Sequence, residues 1–570
     1  MAVWEKRTNW VISQVSWTDW TAQDVYYGLE HSFQYSANIN CDDEMHGIKL
    51  ANKANRTDSF GKCQLMSLWE YWVMALPATL SAAPKRFHWN NGFITDNSQA
   101  WPSVQTSWSK TCPWVIFQDK FWYWIYEVNA GIVRVDPAST TAYWNAEYFF
   151  PKDHNDSTDE SISSESTINA WVPFSWPITA ILNYNNTRLV VASWQDIWVY
   201  YPELDQWPDN QIYWKTWWKR TLHYEPWVVI VGLTCTFEYL KVWCVDEWWS
   251  TKVYYYQWNN NLRDTFVYNV IDLTWEKVLR VYSINSVDYY ITSIDWTDGN
   301  VNLNKMIGNV PVQLFHERWG LDQLDVQYKA PYFVWPCSIN APYKSGRFYV
   351  ADAYWVFQFK QTPNGFDKWY MKWKLRDQST LNVWDGNNRW TKVYWVCENQ
   401  WYLYVSDDNW CRVMRIYDTW VDWYNNTFDW VLISREFEWK EWWTVTKMLD
   451  EVRLNFELNT HPNAWNNVWT IDIYVSPNNL WKSTSSFTEA NWWYHAMTID
   501  YNSKWTRTEK SNLLNNLWWS SKSSFTFDRQ TITYAIVMKQ TTNTHATPIV
   551  RQIDLRYHVK DKVNNVYDIN

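Results

Sequence analysis

A strand–turn–strand unit recurs along this chain and limits what it can fold into. Its clearest copy is NQWYLYVSDDNWCRVMRIYD (Asn399–Asp418), where apolar runs at Tyr402–Val405 and Cys411–Tyr417 flank a polar turn. Strand-favouring residues around an Asp/Asn turn spell a hairpin. Further copies are LMSLWEYWVMALP (Leu65–Pro77), KFWYWIYEVNAGIVRVDP (Lys120–Pro137), TRLVVASWQDIWVYYPE (Thr187–Glu203), LKVWCVDEWWSTKVYYYQ (Leu240–Gln257), VDYYITSIDWTDGNVNLNKM (Val287–Met306) and GRFYVADAYWVFQFK (Gly346–Lys360). They start roughly fifty to sixty residues apart, with one longer gap. Strand pairs at that period, with further strands between, predict small four-stranded sheets repeated around an axis, because such a sheet cannot bury both faces alone. The expected fold is all-β: a β-propeller of about 6–8 irregular blades, followed by a small antiparallel β-sandwich.

The turns contradict their own residues. The chain has Gly 12 and Trp 52 in 570 residues, where average usage would give about 40 glycines. Tryptophan occupies turns in DEWWST (Asp246–Thr251), QWNNN (Gln257–Asn261), SIDWTDGN (Ser293–Asn300) and NNLWWSS (Asn515–Ser521). Such positions call for positive φ or no side chain, which glycine and asparagine supply at little cost. Most of these tryptophans are therefore read as glycines of the natural protein, with UGA codons meaning glycine in the source genome. Trp122, Trp124, Trp198 and Trp243 sit inside strand runs and are read as genuine. On this reading Trp410, Trp248 and Trp258 are exposed at turns, whereas Trp198 and Trp243 are buried. The competing reading is a tryptophan-rich protein with stacking platforms for sugars.

Residues 1–60 lack the hairpin rhythm and read as an extended N-terminal segment, 61–430 as the propeller and 431–570 as the sandwich. The texture changes near residue 430. Val452, Leu454, Phe456 and Leu458 alternate with polar residues, as do Ile553, Leu555 and Tyr557, the pattern of strands with one wet face. The tract HNDSTDESISSESTINA (His154–Ala170) has almost nothing apolar and reads as a mobile, solvated loop.

Net charge is −10, so there is no electrostatic footprint for non-specific nucleic-acid binding. The cysteines at 41, 63, 112, 235, 244, 337, 397 and 411 form no C-x-x-C pair. They are read as free thiols, several buried in strands, rather than zinc ligands or disulfides. The N-terminus lacks the apolar core of a signal peptide, and no apolar run has the length of a membrane span.

Chemistry leaves few marks. No H-E-x-x-H, H-x-x-E-H, G-x-S-x-G or phosphate-cradling G-x-x-x-x-G-K-[ST] occurs, even with glycine read for every suspect tryptophan. The nearest carboxylate pairs are Asp407–Asp408 and Asp295/Asp298, both in hairpin turns where aspartate is favoured by the backbone alone. SDDNW brushes against the aspartate-box turn of sialidase propellers but lacks its spacing and trailing tryptophan. No catalytic, cofactor-binding or metal residue is assigned, and no cofactor is expected.

With glycine restored, the chain resembles propeller-containing virion proteins of tailed bacteriophages, of the tail, nozzle and connector type. The resemblance rests on an extended segment ahead of the wheel and on blades such as NNTRLVVASWQDIWVYYPE (Asn185–Glu203) and NAPYKSGRFYVADAYWVFQF (Asn340–Phe359). It rests also on the sandwich entry LISREFEWKEWWTVTKMLDEVRLNFEL (Leu432–Leu458). It covers most of the chain by texture, without an invariant motif. It implies a non-enzymatic structural component, a tail or portal-proximal ring or tube protein. Its implied partners are other virion proteins and further copies in a homo-oligomeric ring, with DNA passing without specific binding and no membrane span. It implies localisation to the virion, after synthesis in the host cytoplasm without a signal peptide. An acidic wall would ease DNA passage, with carboxylates clustered on one rim or inner face of the oligomer. The alternatives are a carbohydrate-binding surface or secreted propeller and a propeller glycosidase.

Overall fold

The computed structural model describes residues 7–11, 33–37, 39–40, 49–50, 55–58, 63–68, 72–77, 84–89, 93–96, 113–125, 131–136, 146–150, 167–171, 178–204, 218–236, 239–257, 266–273, 276–284, 286–293, 300–313, 333–334, 338–340, 347–351, 356–360, 369–373, 393–399, 402–407, 411–415, 429–434, 437–438, 447–459, 469–477, 480–483, 486–500, 510–513, 531–540 and 547–559. These residues form an all-β structure of several small, mainly antiparallel sheets. Among them, no helix is long and apolar enough to cross a membrane.

Seven sheets follow one another along the chain. Sheet I is Cys63–Ser67, Trp72–Pro77, Lys85–Trp89 and Phe93–Asp96. Sheet II is Trp114–Phe117, Lys120–Ile125, Gly131–Val135 and Ala146–Phe150, with Thr167–Trp171 added in parallel. Sheet III is Ile178–Tyr184, Arg188–Ser193, Asp196–Tyr200 and Trp218–His223. Sheet IV is Val229–Cys235, Tyr239–Val245, Thr251–Gln257 and Phe266–Leu273. Sheet V is Lys277–Ile284, Val287–Ser293, Asn300–Ile307 and Val310–Gln313, with Phe333–Val334 paired to its third strand. Sheet VI holds Ser338–Asn340, Arg347–Ala351, Val356–Lys360 and Trp369–Trp373. Sheet VII holds Val393–Asn399, Tyr402–Asp407 and Cys411–Arg415.

The seven recurrent sequence units fall on hairpins within sheets I to VII. In each, the polar stretch predicted as a turn falls where the paired strands meet, although Gly131, Ser193, Asp196, Ser406 and Asp407 already belong to the strands. The turn residues 69–71, 129–130, 295–299, 352–355 and 408–410 are outside the described residues.

Each sheet shares a buried cluster or ring contact with the next. Met66, Met74 and Leu76 of sheet I cluster with Phe117 and Trp122 of sheet II. Trp122 meets Tyr200 of sheet III with centroids 5.0 Å apart. Val190 and Val199 join Ile230 and Val242 across sheets III and IV, and Trp243 joins Val278 and Tyr290 across IV and V. Tyr289 of sheet V meets Phe348 of sheet VI at 5.2 Å, and Tyr349 and Val356 join Val396 and Val405 of sheet VII. Sheet VII then returns to sheet I: Trp395, Cys397 and Tyr404 cluster with Cys63, Leu65 and Val73. Polar contacts pin this last interface. Ser406 Oγ donates to the Cys63 carbonyl at 2.7 Å, and Asn399 Nδ2 donates to Ser67 Oγ at 2.9 Å and the Trp72 carbonyl at 2.8 Å.

Residues 1–60, read as an extended segment, contribute edge strands to four sheets. Ile39–Asn40 and Lys49–Leu50 extend sheet VI beyond Trp369–Trp373, and Asn55–Asp58 pairs with Cys411–Arg415 as the fourth strand of sheet VII. Phe33–Ala37 pairs with Asp429–Ser434 in sheet VIII, which continues through Thr531–Gln540, Trp469–Pro477 and Tyr494–Asp500, with Phe437–Glu438 alongside. Arg7–Val11 opens sheet IX, followed in order by Thr547–Val559, Lys447–Asn459 and Lys510–Leu513. Both predicted alternating strands of the C-terminal part, 452–458 and 553–557, lie in sheet IX, where Leu454 and Ile553 are buried. The polar tract 154–170 ends in a strand rather than a loop: residues 167–170 belong to Thr167–Trp171, and 154–166 are outside the described residues.

Of the tryptophans singled out in the sequence, Trp122, Trp124, Trp198 and Trp243 are buried and Trp248 is 71% exposed. Trp258 and Trp410 lie outside the described residues. Cys63, Cys244 and Cys397 are buried free thiols and Cys235 is a half-buried one. Burial pushes the Cys63 thiol up to about 12 and raises Cys244 as well.

Sheets IV and V pack closely at Gly232. A Cβ there would lie 2.2 Å from Val281 Cγ1, a distance that forces the backbone or the valine to move. Gly232→Ala is therefore expected to destabilise the protein by about 1–3 kcal/mol, read as a lower urea midpoint by circular dichroism. Pairing it with Val281→Ala should recover part of the loss.

Candidate functional site: a cavity at the hub of the sheets

The first strands of sheets II to V are rich in aliphatic residues, as in WVIF, ITAILNY, VIVGLTC and KVLRVYSI. In sheets II to V these first strands converge on a cavity of about 490 Å³. Its wall includes Val115, Ile116, Ile181, Val231, Leu279 and Val281, with the hydroxyl-bearing residues Thr179, Thr234, Tyr282 and Ser283. Trp395 reaches it from sheet VII, and Trp194 from the turn between the second and third strands of sheet III. No carboxylate is among the described lining residues. The cation in the wall is Arg280, whose guanidinium carbon stands 4.8 Å from the centroid of the Trp395 ring. That contact joins sheet V to sheet VII across the hub and uses the attraction of a cation for an aromatic face.

Behind the wall lies a buried polar layer between sheets IV and V. Lys241 Nζ donates to Asp288 Oδ2 at 2.6 Å, and both side chains are almost fully buried. The Lys241 ammonium also stands 5.3 Å from the Tyr255 ring. Burial raises the Tyr255 phenol, and the Asp288 carboxylate adds to the rise. Trp243 Nε1 donates to Thr234 Oγ1 at 3.1 Å, so the indole that fills the IV–V interface also holds the side chain of a lining residue. A second polar group joins Tyr224 and Tyr256, whose hydroxyls are 2.7 Å apart. Burial pushes both phenols up, Tyr256 to about 12.

Of the sequence-selected carboxylates, the described one, Asp407, does not line this cavity. Asp407 is buried at the end of Tyr402–Asp407, opposite Val393. Asp408, Asp295 and Asp298 are outside the described residues. Among the described residues, no three His, Cys, Asp or Glu side chains group closely enough to hold a metal ion. Two histidines do meet carboxylates, both away from the hub lining. His223 Nδ1 lies 2.6 Å from Asp196 Oδ1 at the end of sheet III. In sheet VIII, Thr498 Oγ1 donates to Asp472 Oδ1 at 2.6 Å and lies 2.7 Å from His495 Nε2.

The Lys241–Asp288 and Arg280–Trp395 contacts were missed by sequence reasoning. The available signal was a charge flanked by apolar residues, Lys241 in YLKVWCV, Asp288 in VDYYITS and Arg280 in KVLRVYSI. A lone charge in such a run either finds a partner or faces a cavity, because burying it alone is costly.

No family profile and no curated protein sequence matches the chain. Solved structures give distant likenesses. BamB from Moraxella catarrhalis is 10% identical, covering 63% of this chain and 95% of its own, with a TM-score of 0.30. Sqt1 from Chaetomium thermophilum, solved bound to the N-terminus of ribosomal protein L10, is 9% identical over 60% of this chain and 81% of its own, with a TM-score of 0.34. A protein provisionally called a 6-phosphogluconolactonase, from Bacteroides fragilis, is 10% identical over 60% and 86%, with a TM-score of 0.32. Scores this low carry no weight for fold or activity.

Proposed function

We propose that sheets I to VII are the blades of a seven-bladed β-propeller, that sheets VIII and IX form a β-sandwich, and that the chain is a non-enzymatic structural component of a tailed-phage particle. In this reading it is a tail or portal-proximal ring or tube protein that assembles with further copies and other virion proteins. The observation that carries the reading is the weaving of residues 7–58 into the edges of sheets VI, VII, VIII and IX. A chain laced through both modules transmits load between them, which suits a part of an assembly. The contact circuit from sheet I to sheet VII and back supports the wheel. A hub of about 490 Å³ with no carboxylate in its described wall cannot pass a duplex. Any DNA path therefore runs through the ring of copies, with acids gathered on its inner face. Negative-stain images of the purified protein are expected to show closed rings, and the protein should co-purify with particles. A monodisperse monomer absent from particles would sink the reading.

A carbohydrate-binding role draws support from one surface. Tyr268 is 59% exposed on the edge strand of sheet IV and lies 5.0 Å from the Tyr239 ring, an aromatic platform of the sort that sugars stack on. Glycan-array binding abolished by Tyr268→Ala would favour this role over the particle role.

A further inference from the structure

Three tryptophans occupy backbone positions that the local hydrogen bonding reserves for glycine. Among the described residues, eight other than glycine have φ in the left-handed region: Gln118, Asp119, Asn185, Asn186, Trp194, Trp249, Ser286 and Trp492. Asparagine and aspartate take that region with modest strain, but a bulky residue there is a steric outlier.

Each tryptophan sits in a different turn. Trp194, at φ 53°, is the first central residue of a two-residue hairpin between Ser193 and Asp196. Gly308, at φ 60°, holds the same place between Ile307 and Val310. One position in this chain is thus filled by glycine in one hairpin and by tryptophan in another. The Trp194 turn cannot relax freely, because its carbonyl accepts from the Ile230 amide at 3.0 Å and the Gln195 carbonyl accepts from the Tyr224 amide at 2.9 Å. Trp249, at φ 63°, follows a turn in which its amide donates to the Asp246 carbonyl at 3.1 Å and the Asp246 amide donates to the Ser250 carbonyl at 3.0 Å. A type I turn closed by a left-handed residue is a standard hairpin loop whose last position favours glycine. Trp492, at φ 63° and ψ 28°, ends the short helix Glu489–Asn491. Its amide donates to the Glu489 carbonyl at 2.9 Å, and the Trp493 amide donates to the Thr488 carbonyl at 3.0 Å. Those paired bonds define a Schellman cap, whose left-handed residue is usually glycine.

We propose that residues 194, 249 and 492 are glycine in the natural protein, encoded by UGA codons read as glycine, whereas Trp198, Trp243 and Trp493 are genuine. The last three are buried in extended or non-left-handed backbone. The indole at 249 has the Lys277 ammonium 3.5 Å from its ring centroid, a contact that glycine would give up. At 194 the substitution has a consequence for the hub. Trp194 lines the cavity, so with glycine there the natural cavity is wider on the side of sheets III and IV. The proposal stands independently of any role in a phage particle.

Trypsin gives three peptides that each carry a proposed glycine and a control: Leu189–Lys215 with Trp198, Val242–Lys252 with Trp243, and Ser483–Lys504 with Trp493. Fragment-ion sequencing of the protein from its natural source is expected to read glycine at 194, 249 and 492 and tryptophan at the three controls. Tryptophan at the three turn positions overturns the proposal. Glycine at the controls as well overturns its structural basis, since backbone geometry would then not separate the two groups. In protein expressed with tryptophan throughout, Trp194→Gly and Trp492→Gly should each raise the melting temperature by a few degrees, while Trp243→Gly lowers it. A fall for both turn variants would count against the proposal.

Discussion

Asp288→Ala is expected to cost about 3–5 kcal/mol of stability, because it strands a buried ammonium. Lys241 and Asp288 face each other at 2.6 Å between sheets IV and V, both almost fully buried. Removing the carboxylate leaves Lys241 against the Tyr255 ring, an attraction too weak to replace an ion partner at that depth. The variant should unfold at a markedly lower urea concentration, followed by circular dichroism, and Lys241→Ala should behave similarly by stranding the carboxylate. Replacing both with apolar residues, Lys241→Met with Asp288→Leu, should recover most of the loss, since a buried pair often gains little over well-packed hydrocarbon. If the single variants unfold like the parent, the pair is solvated and the IV–V interface is looser than described. Because this layer and the Trp243 cluster help join sheet IV to sheet V, the single variants should also weaken any ring the protein forms.

Trp243→Ala is expected to cost about 3–5 kcal/mol, the range for deleting a fully buried aromatic. The indole is completely buried, lies 5.1 Å from the Tyr290 ring and donates to Thr234 Oγ1. Truncation would leave a cavity and an unsatisfied hydroxyl beside the hub. Trp248→Ala is the matched control. At 71% exposure its loss should fall within about 0.5 kcal/mol of zero. Equal losses at the two positions would mean that the exposure difference does not describe the folded protein in solution.

The hairpins were legible in the sequence because a two-residue alternation and polar turns are local signals. Thr187–Glu203 and Leu240–Gln257 show it: their turns fall at 194–195 and 246–250, between the paired strands. Partners of the N-terminal strands were not legible. NRTD at Asn55–Asp58 carries no strand signature, yet it completes sheet VII more than three hundred residues away along the chain. Edge strands take their stability from backbone hydrogen bonds to a preformed neighbour, and those bonds are blind to side-chain type. The hub was equally hidden. Ile181, Val231 and Val281 look like ordinary core residues in sequence, and only their convergence from three sheets makes a cavity wall.

By itself, the sequence determined the strand-rich class, the hairpin period and the excess of tryptophan over glycine, all of which depend on residues close together in the chain. Only the tertiary structure decided which strands close each sheet, that Lys241 meets Asp288, and that Arg280 reaches Trp395 across the hub. It also sorted tryptophans of one composition into two kinds. Trp243 fills an interface, whereas Trp194, Trp249 and Trp492 hold left-handed backbone. The physical reason is that φ at a turn is imposed by the hydrogen bonds closing it, and side-chain burial by sheets far away in sequence.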